Sequence, residues 1–409
     1  MATQQRDLRT GRTYWQSRRM PRVPAAPLTR DLETDVLVIG AGISGALMAE
    51  ALSAGHRVAV VDRRGPVMGS TPASTALVEH EIDTPLTVLA GKIGRVRAER
   101  AWRRSGLAVQ ALAARTRDLG IAADLRRTDN LYLAGDVLDA DGLREESVAR
   151  RHAGLETLFL GRRALRERFG IGRAAALLAH DDFALDPRRL TAGYLNVAIG
   201  RGARVFAPTG IVEVVTSAGA ATAITADGPT IRATALVFAT GYEMPEWVPQ
   251  GRHQVISTYA IATRPQPRRI WPEDCMIWEA SDPYLYLRST PDGRVICGGE
   301  DEEFSDEDAR DALIPAKAAA IARKLGRLFP TLDTTPDFAW AGAFGSSETG
   351  LPSIGAVPGM PNCYAVLGFG GNGITYSRIA ADIVAADIAG RPDPDADLYA
   401  FRSRARATR

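Results

Sequence analysis

Lysine is nearly missing. Of the 50 basic residues only Lys92, Lys317 and Lys324 are lysines, so 47 are arginines. A mechanism built on a lysine amine therefore has three positions to use, and none of them lies between residues 92 and 317. Cysteine is as scarce. Cys275, Cys297 and Cys363 stand far apart with no C-x-x-C, and the five histidines, His56, His80, His152, His180 and His253, do not cluster with them. That excludes a disulfide scaffold and a structural zinc site, and reduced thiols with no bound metal are expected. No run approaches the roughly 18 apolar residues of a membrane helix. The best one, Val36 to Leu52, is broken by three glycines, a serine and a glutamate. Charge excess is missing too. Fifty basic residues against 48 acidic leave a net +2, which gives no general attraction to nucleic acid or anionic membranes. With no apolar signal core at the N-terminus, a cytoplasmic protein without a membrane span is expected.

What is present is an ordinary globular composition, 45% hydrophobic and 24% charged, over 409 residues. That length suits two or three domains at about 150 residues each. Residues 1–30 read as an arm with seven arginines and three prolines, for which Tyr14-Trp15 is the candidate anchor. Only this arm speaks for nucleic acid, and such arms are usually solvated. The folded core is expected from Asp35.

Asp35 to Ile39 is a short apolar run, as in a strand buried on both faces of a parallel sheet. Gly40-Ala-Gly-Ile-Ser-Gly45 follows, then a helix over Ala46 to Ala54, then a strand over Arg57 to Val61 that ends in Asp62. Further along, 86–118 and 139–170 read as mostly helical, and Leu131 to Ala134 as a strand. A helix follows over Leu190 to Ile199. Ile211 to Ile231 reads as an antiparallel meander turning at Asp227-Gly228, and Ala235 to Ala239 as a buried strand. A β-rich stretch runs from Gln254 to Gly299, a helix from Asp306 to Leu328, and a late strand from Cys363 to Leu367. The last strand enters Gly368-Phe-Gly-Gly-Asn-Gly373 and a final helix over Tyr376 to Ile388.

A strand, G-x-G-x-x-G, a helix and a second strand ending in an acid form the dinucleotide fingerprint. Gly40 allows the tight turn, Gly42 lets a pyrophosphate approach the backbone, and Gly45 lets the helix pack on the sheet. The helix N-terminus offers free N–H groups to phosphate. Asp62, 22 residues after Gly40, is placed to bond an adenosine ribose.

Several segments beyond the fingerprint occur in a specific order. They are Gly69-Ser-Thr-Pro-Ala-Ser-Thr-Ala76, Ala239-Thr-Gly241, Tyr286 to Gly299 with its Pro291-Asp-Gly293 turn, Gly350-Leu-Pro-Ser-Ile-Gly355 and Gly368 to Gly373. With them the chain resembles the FAD-dependent D-amino acid oxidase family over about residues 35 to 390. That family includes glycine oxidase, sarcosine oxidase, D-amino acid dehydrogenase and gamma-glutamylputrescine oxidase. The resemblance implies an α/β fold. A Rossmann-type FAD-binding domain with a parallel sheet (31–95, 186–250 and 340–409) would interleave with a mainly antiparallel β substrate domain carrying helices (96–185 and 251–339). It implies FAD held by Gly40, Gly42, Ile43, Ser44, Gly45, Asp62, Arg63, Arg64, Gly69, Ser70, Thr71, Ser74, Thr75, Ala76 and Leu77. Val212, Ala239, Thr240, Gly241, Gly345, Gly371, Asn372, Gly373, Ile374 and Thr375 would complete the cofactor site. The absence of cysteine from residues 340–350 points to noncovalent FAD.

Departures from the family pattern narrow the substrate. Amino-acid members grip the substrate carboxylate with an arginine before an Asp-Gly-x-Pro segment, and here Phe344 stands about there. The sarcosine oxidase arginine aligns with Glu79 and its lysine with Thr375. The expectation is thus an amine without an α-carboxylate, with Glu79 or Glu81 holding a positive charge and Phe344, Tyr259, Trp278 and Tyr286 lining the pocket. Arg288 or Arg264 is the alternative carboxylate grip. His80, Tyr259 and Asn372 are the candidate base or orienting groups. The expected reaction is C–N oxidation by hydride transfer to flavin N5, with the imine then hydrolysed and oxygen or another acceptor reoxidising the flavin. A D-amino acid or glycine-type oxidoreductase and a non-catalytic flavoprotein or subunit of a complex stay open beside it. A serine hydrolase is excluded, since no G-x-S-x-G elbow occurs.

Overall fold

Strands that are apolar throughout and strands that alternate build two different sheets. The computed structural model describes residues 6–401 apart from Arg252. In chain order the first half has β1 (Arg9–Gly11), β2 (Leu32–Ile39), α1 (Ile43–Leu52), β3 (Val58–Val61), β4 (Leu77–Val78), α2 (Leu86–Ile93), α3 (Arg95–Asp118), β5 (Arg126–Leu133), α4 (Ala140–His152), β6 (Thr157–Gly161), α5 (Arg162–Phe169), β7 (Ala175–Ala184) and α6 (Pro187–Gly200). The second half has β8 (Arg204–Phe206), β9 (Ile211–Thr216), β10 (Ala221–Thr225), β11 (Thr230–Phe238), β12 (Gln254–Thr263), β13 (Met276–Glu279), β14 (Leu285–Ser289), β15 (Val295–Glu302), α7 (Glu307–Ala312), α8 (Ile314–Leu328), β16 (Pro336–Ser346), β17 (Ser353–Ala356), β18 (Cys363–Leu367), α9 (Gly373–Ile388) and α10 (Ala396–Tyr399).

The smaller sheet runs β17-β18-β11-β2-β3-β8, and β9 and β10 extend it as a meander from β11. From β18 to β8 the pairing is parallel. Val36 to Val38 and Val58 to Val61 are buried on both faces, as such a sheet requires. Helices α1, α3, α6 and α9 cover one face, and the meander with Met244 and Val248 covers the other.

The larger sheet runs β1-β16-β12-β15-β14-β13-β5-β7-β4, with β6 on β7. Its side chains alternate between faces with period two. Leu131, Leu133, Ile261, Ile277, Leu285 and Leu287 pack on Ile321 and Leu325 of α8. The intervening Tyr132, Trp278 and Tyr286 face the opposite way, toward the cavity between the sheets.

Several expectations change. The arm is built into the fold: β1 pairs with β16 through Arg9↔Gly342 and Gly11↔Trp340, and Tyr14 and Trp15 are buried. Ordered strand therefore precedes Asp35, and β2 itself opens at Leu32. The boundary drawn at residue 340 falls inside β16, which belongs to the larger sheet throughout. Helix α3, drawn with the substrate segment, packs in one core with α1 and α9. Strand β6 interrupts the helical stretch at 139–170, and β7 was not anticipated at all. Ala175–Ala184 contains no β-branched residue, so only its place between β5 and β6 makes it a strand. Among the described residues no helix is long and apolar enough to cross a membrane.

Candidate active site

A single cavity of about 1000 Å³ runs between the two sheets. At one end lies the turn from β2 into α1. Gly40 has φ +114°, and a Cβ there would stand 2.3 Å from the Ala239 carbonyl oxygen. A Cβ on Gly45 would stand 1.8 Å from the Gly40 carbonyl oxygen. Only glycine lets the helix rest on its own turn. The N-cap Gly42 has no side chain to cap α1, the Ile43 N–H donates to Thr71 Oγ1 at 3.1 Å, and Gly42, Ile43 and Ser44 line the cavity. Asp62, at the end of β3, is aimed by three N–H groups: Ala41 at 2.8 Å, Arg64 at 2.8 Å and Gly65 at 2.9 Å. Arg63 and Arg64 reach the cavity but are paired with Glu243.

A helix start on the cavity wall, a glycine cradle and a fixed carboxylate fit the pyrophosphate and ribose of a dinucleotide. Gly69, Ser70, Thr71, Ser74, Thr75, Ala76, Leu77, Val212, Ala239, Thr240, Gly241, Gly371, Gly373 and Ile374 continue the lining, so FAD fits along it. Gly45 and Gly345 lie behind the wall. Gly345 makes room for the Tyr242 ring, which a Cβ would approach to 3.0 Å.

At the other end the walls are aromatic and acidic. The rings of Tyr132 and Trp278 stack 3.9 Å apart. Trp278 Nε1 donates to Glu81 Oε2 at 2.9 Å, which fixes the indole. Asn130 Nδ2 donates to Glu79 Oε2 at 2.6 Å and to Glu81 Oε2 at 2.7 Å. Glu79 faces the cavity, and its carboxyl is held well above the usual range by burial first, then by the Asp182 and Asp83 charges. Asp83 accepts the Gly371 N–H at 2.7 Å and fronts the same space. It is accessible from the cavity yet enclosed elsewhere by protein. That enclosure, with Asp301 adding to it, pushes its carboxyl up to about 6. Asp301 accepts the Tyr284 hydroxyl at 3.0 Å, and burial raises its carboxyl as well. Tyr284, Tyr286, Thr258 and Phe344 complete this end.

Several expected residues lie elsewhere. His80 points away from the cavity into β7, its ring Nδ1 2.8 Å from Asp182. Glu81 is consumed by Arg150, Asn130 and Trp278 and is a supporting residue, not a surface for ligand. Tyr259 sits in the core under α8, because it occupies the other face of β12 from Thr258. Arg288 shares a face with Tyr286 but lies about 7 Å further along the strand. There it donates to the Ala76 and Leu185 carbonyls at 2.6 and 3.0 Å, beneath Trp15. Arg264 does not line the cavity. Asn372 Nδ2 donates to the Glu81 carbonyl, and Thr375 Oγ1 to the Glu79 carbonyl at 3.1 Å. Both pin the acidic segment after β4 to the start of α9. Sequence reasoning missed Asp83, Tyr132, Tyr284, Asp301 and the arm residue Leu8, all on the lining. The alternation Glu79, Glu81, Asp83 was the available signal for Asp83. None of the three cysteines reaches the cavity.

Fold and site together define an α/β dinucleotide-binding protein whose cavity ends in aromatic and acidic side chains. Comparison with known proteins agrees. The FAD dependent oxidoreductase family (DAO) matches residues 35–386, and the chain belongs to it. It is 22% identical to the probable oxidoreductase OrdL of Haemophilus influenzae over 93% of this chain and 88% of that one. It is 22% identical to gamma-glutamylputrescine oxidoreductase of Escherichia coli, over 88% of this chain and 85% of that protein. The crystal structure of glycine oxidase from Geobacillus kaustophilus superposes with a TM-score of 0.74 at 19% identity, covering 91% of this chain and all of that one. The protein is thus an FAD-dependent oxidoreductase of the class that acts on amines or amino acids.

Proposed function

We propose that the protein oxidises a cationic amine that carries no α-carboxylate. One observation carries this reading. Among the described residues no arginine, lysine or histidine lines the substrate end, while Glu79, Asp83 and Asp301 do. A substrate carboxylate would meet like charges there with no bidentate partner. A substrate ammonium meets carboxylates and ring faces.

FAD, when bound, would supply the redox chemistry, acceptance of a hydride from the carbon beside nitrogen, and water would hydrolyse the imine to a carbonyl and a free amine or ammonia. The chain's own part is binding, orientation and proton handling. Glu79 is the group placed to hold a proton released by an entering ammonium. Burial and the neighbouring acids make its carboxylate more ready to take a proton than an ordinary glutamate, and an ammonium held beside it favours the ionised form again. Asn130 fixes the position of that carboxylate, and the Thr375 bond to its backbone fixes its height. Trp278, locked by Glu81, holds a flat wall against which the substrate chain aligns.

Anaerobic titration of the purified holoenzyme tests this. Simple alkylamines are expected to bleach the flavin absorbance, and α-amino acids with matching side chains to leave it unchanged. Faster bleaching by D-amino acids or glycine would replace this reading with an amino-acid oxidoreductase whose carboxylate grip lies elsewhere.

A further inference from the structure

We propose that the substrate carries two positively charged nitrogens, as in a diamine or polyamine, and that the cavity holds them at two stations. One station is Glu79 with Tyr132 and Trp278. The other is Asp83 and Asp301 with Tyr284 and Tyr286. This rests on the reading of the site as one for an amine without a carboxylate, and specifies that amine further.

The two stations have the same make-up. Each joins acid to a pair of aromatic rings: Tyr132 and Trp278 at 3.9 Å in one, Tyr284 and Tyr286 at 5.6 Å in the other. An ammonium held by a carboxylate and by ring faces is favoured by both charge and quadrupole. The acids come from separate elements. Glu79 follows β4 and is steadied by Asn130, Asp83 rests on the Gly371 N–H, and Asp301 lies at the far end of β15 against the Tyr284 hydroxyl. Trp278 and Tyr286 pair across β13 and β14, so the two stations adjoin, about one strand spacing apart along one cavity.

An independent observation points to a ligand. Tyr132 is only 2% exposed and lines the cavity, yet its hydroxyl has no hydrogen-bond partner among the described residues. That hydroxyl opens onto the cavity and takes its partner from whatever fills it. An ammonium beside Glu79 donates to that oxygen and completes it.

The nearby cations are committed elsewhere. Arg150 bonds Glu81 and Glu146, Arg173 bonds Glu279, and Lys317 bonds Glu302 at 2.5 Å. Among the described residues, none forms an ion pair with Glu79, Asp83 or Asp301. Arg150 and Lys317 act on Glu79 and Asp301 only from a distance, so a monoamine that satisfies one station leaves the other's carboxylates without a bonded cation. A dication satisfies both.

The test uses the holoenzyme with 1,3-diaminopropane, 1,4-diaminobutane and 1,5-diaminopentane against propylamine, butylamine and pentylamine. Dissociation constants come from perturbation of the flavin spectrum and from calorimetry, and reduction rates from anaerobic stopped flow. At least one diamine is expected to bind about tenfold or more tightly than its matched monoamine, the scale of one added charge-assisted contact. Asp301→Asn, checked for bound flavin, is expected to bring the diamine-to-monoamine ratio down toward one. If that variant does not fold, the inhibition of the unaltered enzyme by hexamethonium and by tetramethylammonium takes its place, with the bis-cation expected to be the stronger. Equal affinities for every matched pair, or an unchanged ratio in Asp301→Asn, would overturn the two-station proposal while leaving the amine reading intact. Bleaching by amino acids alone would instead overturn the amine reading itself.

Discussion

Asp83 gives the site a charge that changes near neutral pH. Its carboxyl is pushed up to about 6, by enclosure first and by Asp301 beside it, against the lowering effect of the Gly371 N–H. The sign follows from which form binds a cation. Above about 6 the carboxylate is charged, and below it the site loses a negative charge. Tetramethylammonium, which does not titrate, is therefore expected to bind more weakly as pH falls through about 6, and Asp83→Asn to reduce that dependence to what the raised Glu79 and Asp301 carboxyls contribute. Affinity that stays flat across that range in the unaltered enzyme would remove Asp83 from the cation site. Stability moves the opposite way. Because the folded carboxyl sits above its ordinary value of 3.8, this group's contribution is present at low pH and lost as pH rises through about 6. A second buried charge supports the site from behind. Arg150 is 1% exposed and joins Glu81 to Glu146 and to the rings of Trp102 and Tyr132. Arg150→Met leaves two buried glutamates without their cation, for which a loss of about 3–5 kcal/mol is expected. Thermal denaturation measures it. A melting temperature within experimental error of the unaltered protein would show that the network is dispensable.

At the scale of elements the arm becomes part of the cofactor site. β1 lies on the edge of the larger sheet, and the residues before it reach across the nucleotide loops. Arg6 N–H donates to Glu243 at 2.7 Å, Arg64 Nη2 donates to the Arg6 carbonyl at 2.5 Å, and Arg9 Nε donates to the Gly69 carbonyl at 3.3 Å. Leu8 lies between these bonds and lines the cavity. Removing the chain through Arg12 opens that wall, and FAD is expected to dissociate about tenfold faster or more, an amount equal to losing one or two such contacts. Fluorescence of released flavin after dilution follows the rate. Unchanged release would mean that the arm only decorates the sheet edge. The same elements show what sequence can and cannot express. The turn Gly40 to Gly45 and Asp62 was legible because its geometry is set within one local unit. The alternation that puts Tyr132, Thr258, Trp278 and Tyr286 on the cavity face was not. It depends on which face of a long-range sheet is covered by α8, and a shift of one residue exchanges site for core, as with Thr258 and Tyr259. Glu79 lines the cavity, but no local pattern tied it to Asp301, which is 222 positions away in the chain. Tyr14-Trp15 hinted that the arm is anchored, while its pairing with β16 had no local signal.

For the whole molecule, the path of the chain decides how it unfolds. It starts in the larger sheet at β1, enters the smaller at β2 and β3, and returns to the larger for β4 to β7. It crosses back for β8 to β11, out again for β12 to β16, and back for β17 and β18. Neither sheet is made from one continuous stretch, so neither folds without the other's segments being threaded between its strands. Helix α3 strengthens the link by packing on α1 and α9, and Arg115 joins Glu50 across them. The cavity lies on the boundary, with glycine turns from the smaller sheet and aromatic and acidic side chains from the larger. A ligand that fills it touches both and stabilises only the assembled state. Calorimetry of the apoprotein is therefore expected to show one unfolding transition, and FAD to move that transition upward as one. At a thousandfold excess over its dissociation constant, a ligand that binds only the folded state adds about 4 kcal/mol. Two separated transitions, with FAD shifting one of them, would mean that the sheets are independent units and that the interleaved path does not couple them.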